Sequence, residues 1–134
     1  VACCRAKLPR AAAARHLYRG LLFKQSQRAA VSLRPTHGYL ILSARYGLVR
    51  PDTVLEPYNL LLGQPGSITR RQLREQAKEL GVADHRRVVV LAPNKYSALA
   101  RAVWPYAATP LAGTRGSGDQ SVTLARIIMR GRLE

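Results

Sequence analysis

The sequence predicts a single α/β domain with a small, mostly parallel sheet and helices on both faces. Three observations predict it. Arg87-Val88-Val89-Val90-Leu91-Ala92 is apolar through its centre and rich in β-branched residues, which suits a strand covered on both faces in a parallel sheet. Tyr39-Leu40-Ile41-Leu42-Ser43 reads as a second buried strand, and both runs end in polar loops. Helix-period segments separate the two. No linker or repeat divides the 134 residues, so 1–134 is read as one domain.

In chain order, Val1 to Cys4 reads as the end of a short first strand, followed by a loop from Arg5 to Pro9. An alanine-rich helix is expected from Arg10 to about Tyr18, interrupted at Gly20 and continuing to Leu33. On that reading Arg15 and Arg19, then Lys24 and Arg28, sit four apart on one helical face. Such a stripe either tracks phosphates or is simply the solvated side of an amphipathic helix. Pro35 and a Thr-His-Gly turn lead into the strand at 39–43, which breaks into the loop Ala44-Arg45-Tyr46-Gly47.

A loop of strong breakers covers Gly63 to Ser67. Thr69 followed by Gln72 makes a capping box, Leu73, Ala77 and Leu80 mark one buried face, and Gly81 is the stop. This helix carries both signs of charge and reads as scaffold. After the 87–92 run comes the loop Pro93-Asn94-Lys95-Tyr96, then a helix over 96–103 stopped before Pro105. Ala107 to Leu111 is expected as a short last strand. The Gly-rich loop from Gly113 to Gln120 then opens a final helix, with Val122, Ala125 and Met129 inward and Arg126, Arg130 and Arg132 outward. The predicted order is β-α-β-loop-α-β-α-β-α.

Charge narrows the partners. Lys plus Arg total 22 against 7 acids, a net charge of +15, and every charged residue before Asp52 is basic. A field of that sign attracts polyanions, so DNA is the expected partner. No apolar run approaches the roughly 20 residues of a membrane helix, so a membrane is not expected. The opening VACCRAK has no secretory pattern, and Cys3 and Cys4 are neighbours without a third cysteine, which fits a reducing cytoplasm.

His16, His37 and His85 are scattered in sequence and give no ligand spacing, so neither a metal nor another cofactor is expected. The HxE and PCxxC parts of a zinc deaminase are absent. A Ser43, His85 and Asp52 triad lacks the nucleophile elbow GxSxG. The Gly113–Gln120 loop is neither a P-loop nor a complete GxGxxG. Its helix start, with Arg115 and Ser117, suits a DNA-backbone contact or is a plain turn.

Chemistry is expected between Tyr39 and Leu62, because loops after buried strands carry function in α/β proteins. Asp52 and Glu56 are the catalytic candidates. A carboxylate activates water, or offsets positive charge on a sugar as a glycosidic bond breaks. Their structural alternative is an ion pair with Arg45 or Arg50 that orders the loop. Tyr46 and Tyr58 suit stacking on an extruded base, or packing on the core with the hydroxyl bonded. Asn94 suits a base edge and Lys95 a phosphate, the alternative being an Asn-capped helix start.

VACCRAKLP, ARHLYRGLLFKQSQRAA and ILSARYGLVRPDTVLEPYN together resemble a small bacterial and phage domain family of formerly unknown function. That family carries a C-S-x-x-K start, an LY-x-S-x-LF helix and an LSA[KR]YGL…EPY block. The resemblance spans most of the chain and extends to the YaaA-type DNA-binding proteins and to an anti-phage glycosylase that removes glucosylated hydroxymethylcytosine. By position the motifs fall on Cys3, Cys4 and Lys7, on Tyr18, Leu22 and Phe23, and on Ser43, Arg45, Tyr46, Gly47, Glu56, Pro57 and Tyr58. Cys4 stands where the pattern has Ser, and Asn59 where Asp is frequent.

The resemblance implies a DNA glycosylase that flips a modified base and hydrolyses its N-glycosidic bond, in anti-phage defence. It places Cys4, Lys7, Ser43, Tyr46 and Tyr58 around the base, and Asn94, outside the motifs, joins them for its fit to a base edge. The expected DNA-backbone contacts are Arg5, Arg15, Arg19, Lys24, Arg45, Lys95, Arg115 and Ser117. The competing expectations are a DNA-binding protein without chemistry, and a hydrolase of free nucleosides or nucleotides.

Overall fold

A computed structural model describes residues 1–133. Its elements in order are β1 (Ala12–Ala13), α1 (Ala14–Leu17), α2 (Leu21–Ser32), β2 (Ile41–Ser43), β3 (Gly47–Val49), β4 (Val54–Leu55), α3 (Arg70–Glu79), α4 (Asn94–Arg101) and α5 (Ser117–Arg130). This is a small α/β domain, but its two sheets are antiparallel pairs: β1 with β4, and β2 with β3. The expected mostly parallel sheet is not formed. Among the described residues, parallel pairing is confined to isolated bridges, Ala2 with Leu42 and Val89 with Ala108.

The 87–92 run is extended and buried at Val90, Leu91 and Ala92, yet it pairs through only a few backbone bonds, among them Val90 N–H to Ala108 C=O at 2.8 Å. Apolarity reports burial, and a buried extended segment needs no continuous ladder to produce it. Its other flank meets the chain start, where Ala2 N–H reaches Leu91 C=O at 3.3 Å and Cys3 N–H reaches Leu42 C=O at 2.9 Å. The N-terminal segment therefore lies between β2 and the 87–92 run. Expected strands at 1–4 and 107–111 likewise reduce to single bridges.

The alanine-rich helix from Arg10 does not form as one piece. Ala12 and Ala13 pair with Leu55 and Val54, and helix is left only from Ala14 to Leu17. Alanine's helix propensity is a fraction of a kcal/mol per residue, and tertiary pairing overrides it. Arg19 consequently lies outside α1 and shares no helical face with Arg15. Lys24 and Arg28 do share one on α2.

Local chemistry is followed faithfully at α3. Thr69 Oγ1 accepts the Gln72 N–H at 3.2 Å and Gln72 Oε1 accepts the Thr69 N–H at 3.0 Å, closing the capping box, with Leu73 and Ala77 buried. Gly81 follows the C-cap with φ +73°. In α5 the buried face is rotated from the expected one. Leu124 and Ile127 enter the core with Ala29 and Ala30 of α2, whereas Val122 and Met129 are 59% and 87% exposed. No helix among the described residues is long and apolar enough to cross a membrane.

One hairpin joins these layers. Gly47 turns with φ +73°, and Gln76 of α3 straddles the turn, accepting the Leu48 N–H and donating to the Tyr46 C=O, both at 2.9 Å. A Cβ at Gly47 would collide with that carboxamide. Only glycine satisfies both the backbone angle and the close approach.

Candidate active site

The β2–β3 hairpin is built around Ser43, which is fully buried. Its Oγ accepts the N–H groups of Arg45 at 3.2 Å and Tyr46 at 3.0 Å, a serine turn that satisfies the loop from within. The same hydroxyl lies 2.7 Å from the Tyr58 OH, and Tyr58 OH lies 2.7 Å from the Tyr18 OH. Tyr18 is 1% exposed and ends α1 in extended conformation. The resulting chain Ser43–Tyr58–Tyr18 joins a hairpin, the segment after β4 and the first helix.

The N-terminal loop closes over it. Leu8 N–H reaches Leu17 C=O at 2.9 Å and Arg19 N–H reaches Ala6 C=O at 2.8 Å, so the loop runs antiparallel to the end of α1. This carries the Lys7 ammonium to 4.2 Å from the Tyr58 ring centroid and 5.8 Å from that of Tyr18, a cation on an aromatic face. Lys7 also donates to the Arg5 C=O at 3.1 Å. Tyr46 stands edge-on to Tyr58 with centroids 5.6 Å apart, donates to the Glu56 C=O at 3.2 Å, and carries the Arg45 guanidinium 5.4 Å from its own ring centroid.

Burial dominates the electrostatics. It pushes the Tyr18 phenol up to about 12 and Tyr58 further, the nearby Cys3 thiol adding to the second. It also lowers Lys7, with Arg5 acting in the same direction and the two thiols opposing. The phenols are held neutral, and Lys7 releases its proton more readily than an exposed lysine.

The YGL…EPY block thus forms one structural unit with the N-terminal motif. The family described as a family of unknown function, DUF6884, matches residues 1–126. The chain belongs to DUF6884. Comparison with curated proteins and with solved structures gave no match.

Within this DUF6884 domain, Lys7, Ser43, Tyr46 and Tyr58 lie in contact with one another. Cys4 packs at the edge of the same cluster, near enough for its thiol to act on Lys7 and Tyr18, but its hydrogen bonds go elsewhere. Its Sγ accepts the Gly20 N–H and donates to the Ala6 C=O, each at 3.3 Å, and a Cβ at Gly20 would stand 2.9 Å from that sulfur. It shapes the N-terminal loop. Asn94 is also elsewhere, its Oδ1 accepting the Gly113 N–H at 2.8 Å, and it does not cap α4.

Asp52 and Glu56 are both exposed, and among the described residues neither is ion-paired. The loop-ordering pair with Arg45 or Arg50 is not formed. Glu56 lies beside the cluster through its carbonyl on Tyr46. Asp52 sits in the turn before β4, where the neighbouring Pro51 and Thr53 carbonyls receive the N–H groups of Arg15 and Ala14 at 2.8 Å. Arg5, Arg15, Arg19, Lys24, Arg45, Lys95, Arg115 and Ser117 are all exposed. At α5 the Asp119 carboxylate accepts the Arg115 N–H at 3.0 Å, so the helix start already carries an anion of its own.

Two partners escaped sequence reasoning as site members. Tyr96 OH meets Cys3 Sγ at 3.2 Å, and Tyr18 completes the hydroxyl chain. Tyr18 was marked by the LY motif alone, and the contact of Tyr96 spans 93 residues, beyond any local pattern. His37 and His85, far apart in sequence, stack with ring centroids 4.8 Å apart. Open clefts of about 380 Å³ at Ala83, Asp84, Arg86 and Tyr106, and of about 330 Å³ at Arg45, Gln72, Glu75 and Glu79, involve neither carboxylate candidate.

Proposed function

We propose that this domain is a DNA glycosylase that hydrolyses the N-glycosidic bond of a flipped, modified base, such as glucosylated hydroxymethylcytosine in phage DNA. The observation that carries the reading is the Lys7 ammonium held against Tyr58 beside a buried hydroxyl chain, inside a chain of net charge +15. A cationic shell draws in the phosphates, and the extruded base stacks on Tyr46, whose ring stands perpendicular to that of Tyr58, while Tyr58 carries Lys7. Glu56, whose backbone is tied to Tyr46, takes the proton of the attacking water and offsets charge on the sugar. Asp52, further along the same loop, supports it electrostatically. The setting proposed is a reducing cytoplasm, with Cys3 and Cys4 as free thiols.

The test is incubation with phage DNA carrying glucosylated hydroxymethylcytosine, followed by alkali. Strand breaks at the modified cytosines are expected, and DNA that stays intact removes the enzymatic reading. The exposure of both carboxylates favours a second reading, a YaaA-like DNA-binding protein without chemistry. It predicts a salt-sensitive complex that Asp52→Ala and Glu56→Ala leave intact or tighten, with no base released by any form.

A further inference from the structure

The open cleft of about 380 Å³ is lined by Ala83, Asp84, Arg86 and Tyr106. That volume falls at the lower end of the range for small-ligand sites, roughly 300–1,000 Å³. The cleft lies away from the Lys7 cluster. Its segment leads into the 87–92 run, and His85 stacks on His37 ahead of β2, whereas Ser43 closes β2.

Three bonds lace the segment 82–88 to 104–108. Trp104 Nε1–H reaches the Val82 C=O and Ala108 N–H the Val88 C=O, both at 3.0 Å, and between them the Tyr106 hydroxyl donates to the His85 C=O. The His85 ring does not line the cleft, being stacked on His37. Asp84 and Arg86 therefore project from a backbone pinned at the residue between them. Tyr106, tethered by its hydroxyl, is 54% exposed.

Asp84 and Arg86 carry opposite charges on one cleft and leave each other alone. Among the described residues neither side chain has an ion-pair or hydrogen-bond partner. The cleft offers a carboxylate that only accepts, a guanidinium that only donates, and an aromatic face. A matching ligand is a flat ring with donors on one edge and acceptors on the next. Among the common nucleobases, guanine alone turns two adjacent donors, N1–H and the 2-amino group, to both oxygens of one carboxylate. Adenine and cytosine set a lone pair beside their single amino group, which repels the second oxygen. Guanine O6 and N7, on the neighbouring edge, take a guanidinium in two parallel bonds. Positions two residues apart are separated by at most about 7 Å, which suits two neighbouring edges of one ring.

We propose that this cleft binds a guanine ring stacked on Tyr106, with Asp84 accepting N1–H and the 2-amino group and Arg86 donating to O6 and N7. The ring belongs to a free guanine nucleotide or to an unstacked guanine in a nucleic-acid strand, and the exposed Arg87 beside Arg86 suits the phosphate of both. This site does not depend on the glycosylase reading.

The wild-type protein is titrated by calorimetry with the 5′-monophosphates of guanosine, inosine and adenosine. It is titrated by fluorescence anisotropy with thymidine strands carrying one central guanine, hypoxanthine or adenine. Hypoxanthine differs from guanine only in lacking the 2-amino group. Guanine is expected to bind about tenfold tighter than hypoxanthine, from one charge-assisted hydrogen bond, and adenine weaker still. The arm that shows the preference identifies the source, mononucleotide or strand. Asp84→Ala, at an exposed carboxylate, is expected to keep the wild-type thermal midpoint and to lose the preference. Equal binding of the three bases in both arms, binding in neither arm, or a preference that survives Asp84→Ala overturns the proposal.

Discussion

Two loops of this protein follow buried extended segments, and they differ in what they do with their polar atoms. The loop after β2 turns inward. Ser43 is fully buried, satisfies two backbone N–H groups and joins Tyr58 and Tyr18, with Lys7 laid over the rings. The turn after the 87–92 run is only Pro93, because α4 already begins at Asn94 where the sequence predicts a loop to Tyr96, and it faces outward, the exposed Asn94 accepting the Gly113 N–H in a single bond. A polar network removed from water holds fixed donors at strengths that water would otherwise dilute. A single exposed tether orders a loop and leaves its other groups to solvent. The first arrangement suits chemistry, and the second suits a frame.

The largest expected contrast is in turnover. Glu56→Gln is expected to lower base release by about 10²–10⁴-fold, the range for loss of a general base, with DNA affinity unchanged or higher. Lys95→Gln, at the exposed start of α4, is expected to weaken DNA binding at low salt and to leave single-turnover release unaltered. Equal effects of the two substitutions on single-turnover release would erase the distinction between the loops.

Next comes stability at the hairpin. Gly47→Val combines a strained positive φ with a collision against Gln76, and is expected to cost about 2–4 kcal/mol in urea unfolding. Ser43→Ala removes the buried hydroxyl that holds the part-buried N–H groups of Arg45 and Tyr46 and the Tyr58 hydroxyl, and is expected to cost about 2–3 kcal/mol. Asn94→Ala is expected to cost under about 1 kcal/mol, since water replaces the lost partner. Costs at Ser43 and Asn94 that prove alike would mean the first network is no better sheltered than the second tether.

The smallest effect is on alkaline stability. Burial raises the Tyr18 phenol from its ordinary value of 10.0 to about 12, so the folded state holds a proton that the unfolded state has given up. The contribution is complete below pH 10 and is lost as pH rises from 10 through 12. Tyr18→Phe is expected to flatten that decline, measured as the urea midpoint against pH. A decline equally steep in the variant would place the sensitivity elsewhere.

Legibility in the sequence followed the range of each interaction. The α3 capping box, its buried Leu73 and Ala77, and the stop at Gly81 involve neighbours a few residues apart, and all could be read directly. β3 and β4, of three and two residues, are too short for alternation to register, and they were missed. The Arg15 and Arg19 stripe failed because β1 pairs with β4, across about forty residues. In α5 the burial of Leu124 and Ile127 is decided by α2, which the helix's own pattern does not reveal. Four members of the candidate site were legible because motifs mark them, while the bond between Tyr18 and Tyr58 exists only in the folded chain.

The central claim is that this inward-facing cluster releases a modified pyrimidine from DNA. Mass spectrometry of the supernatant, after incubation with DNA containing glucosylated hydroxymethylcytosine, tests it most directly. The account predicts the intact free base in amounts matching the abasic sites, lost in Glu56→Gln protein that still binds the DNA. A tight complex that yields no free base with the wild-type protein would contradict it.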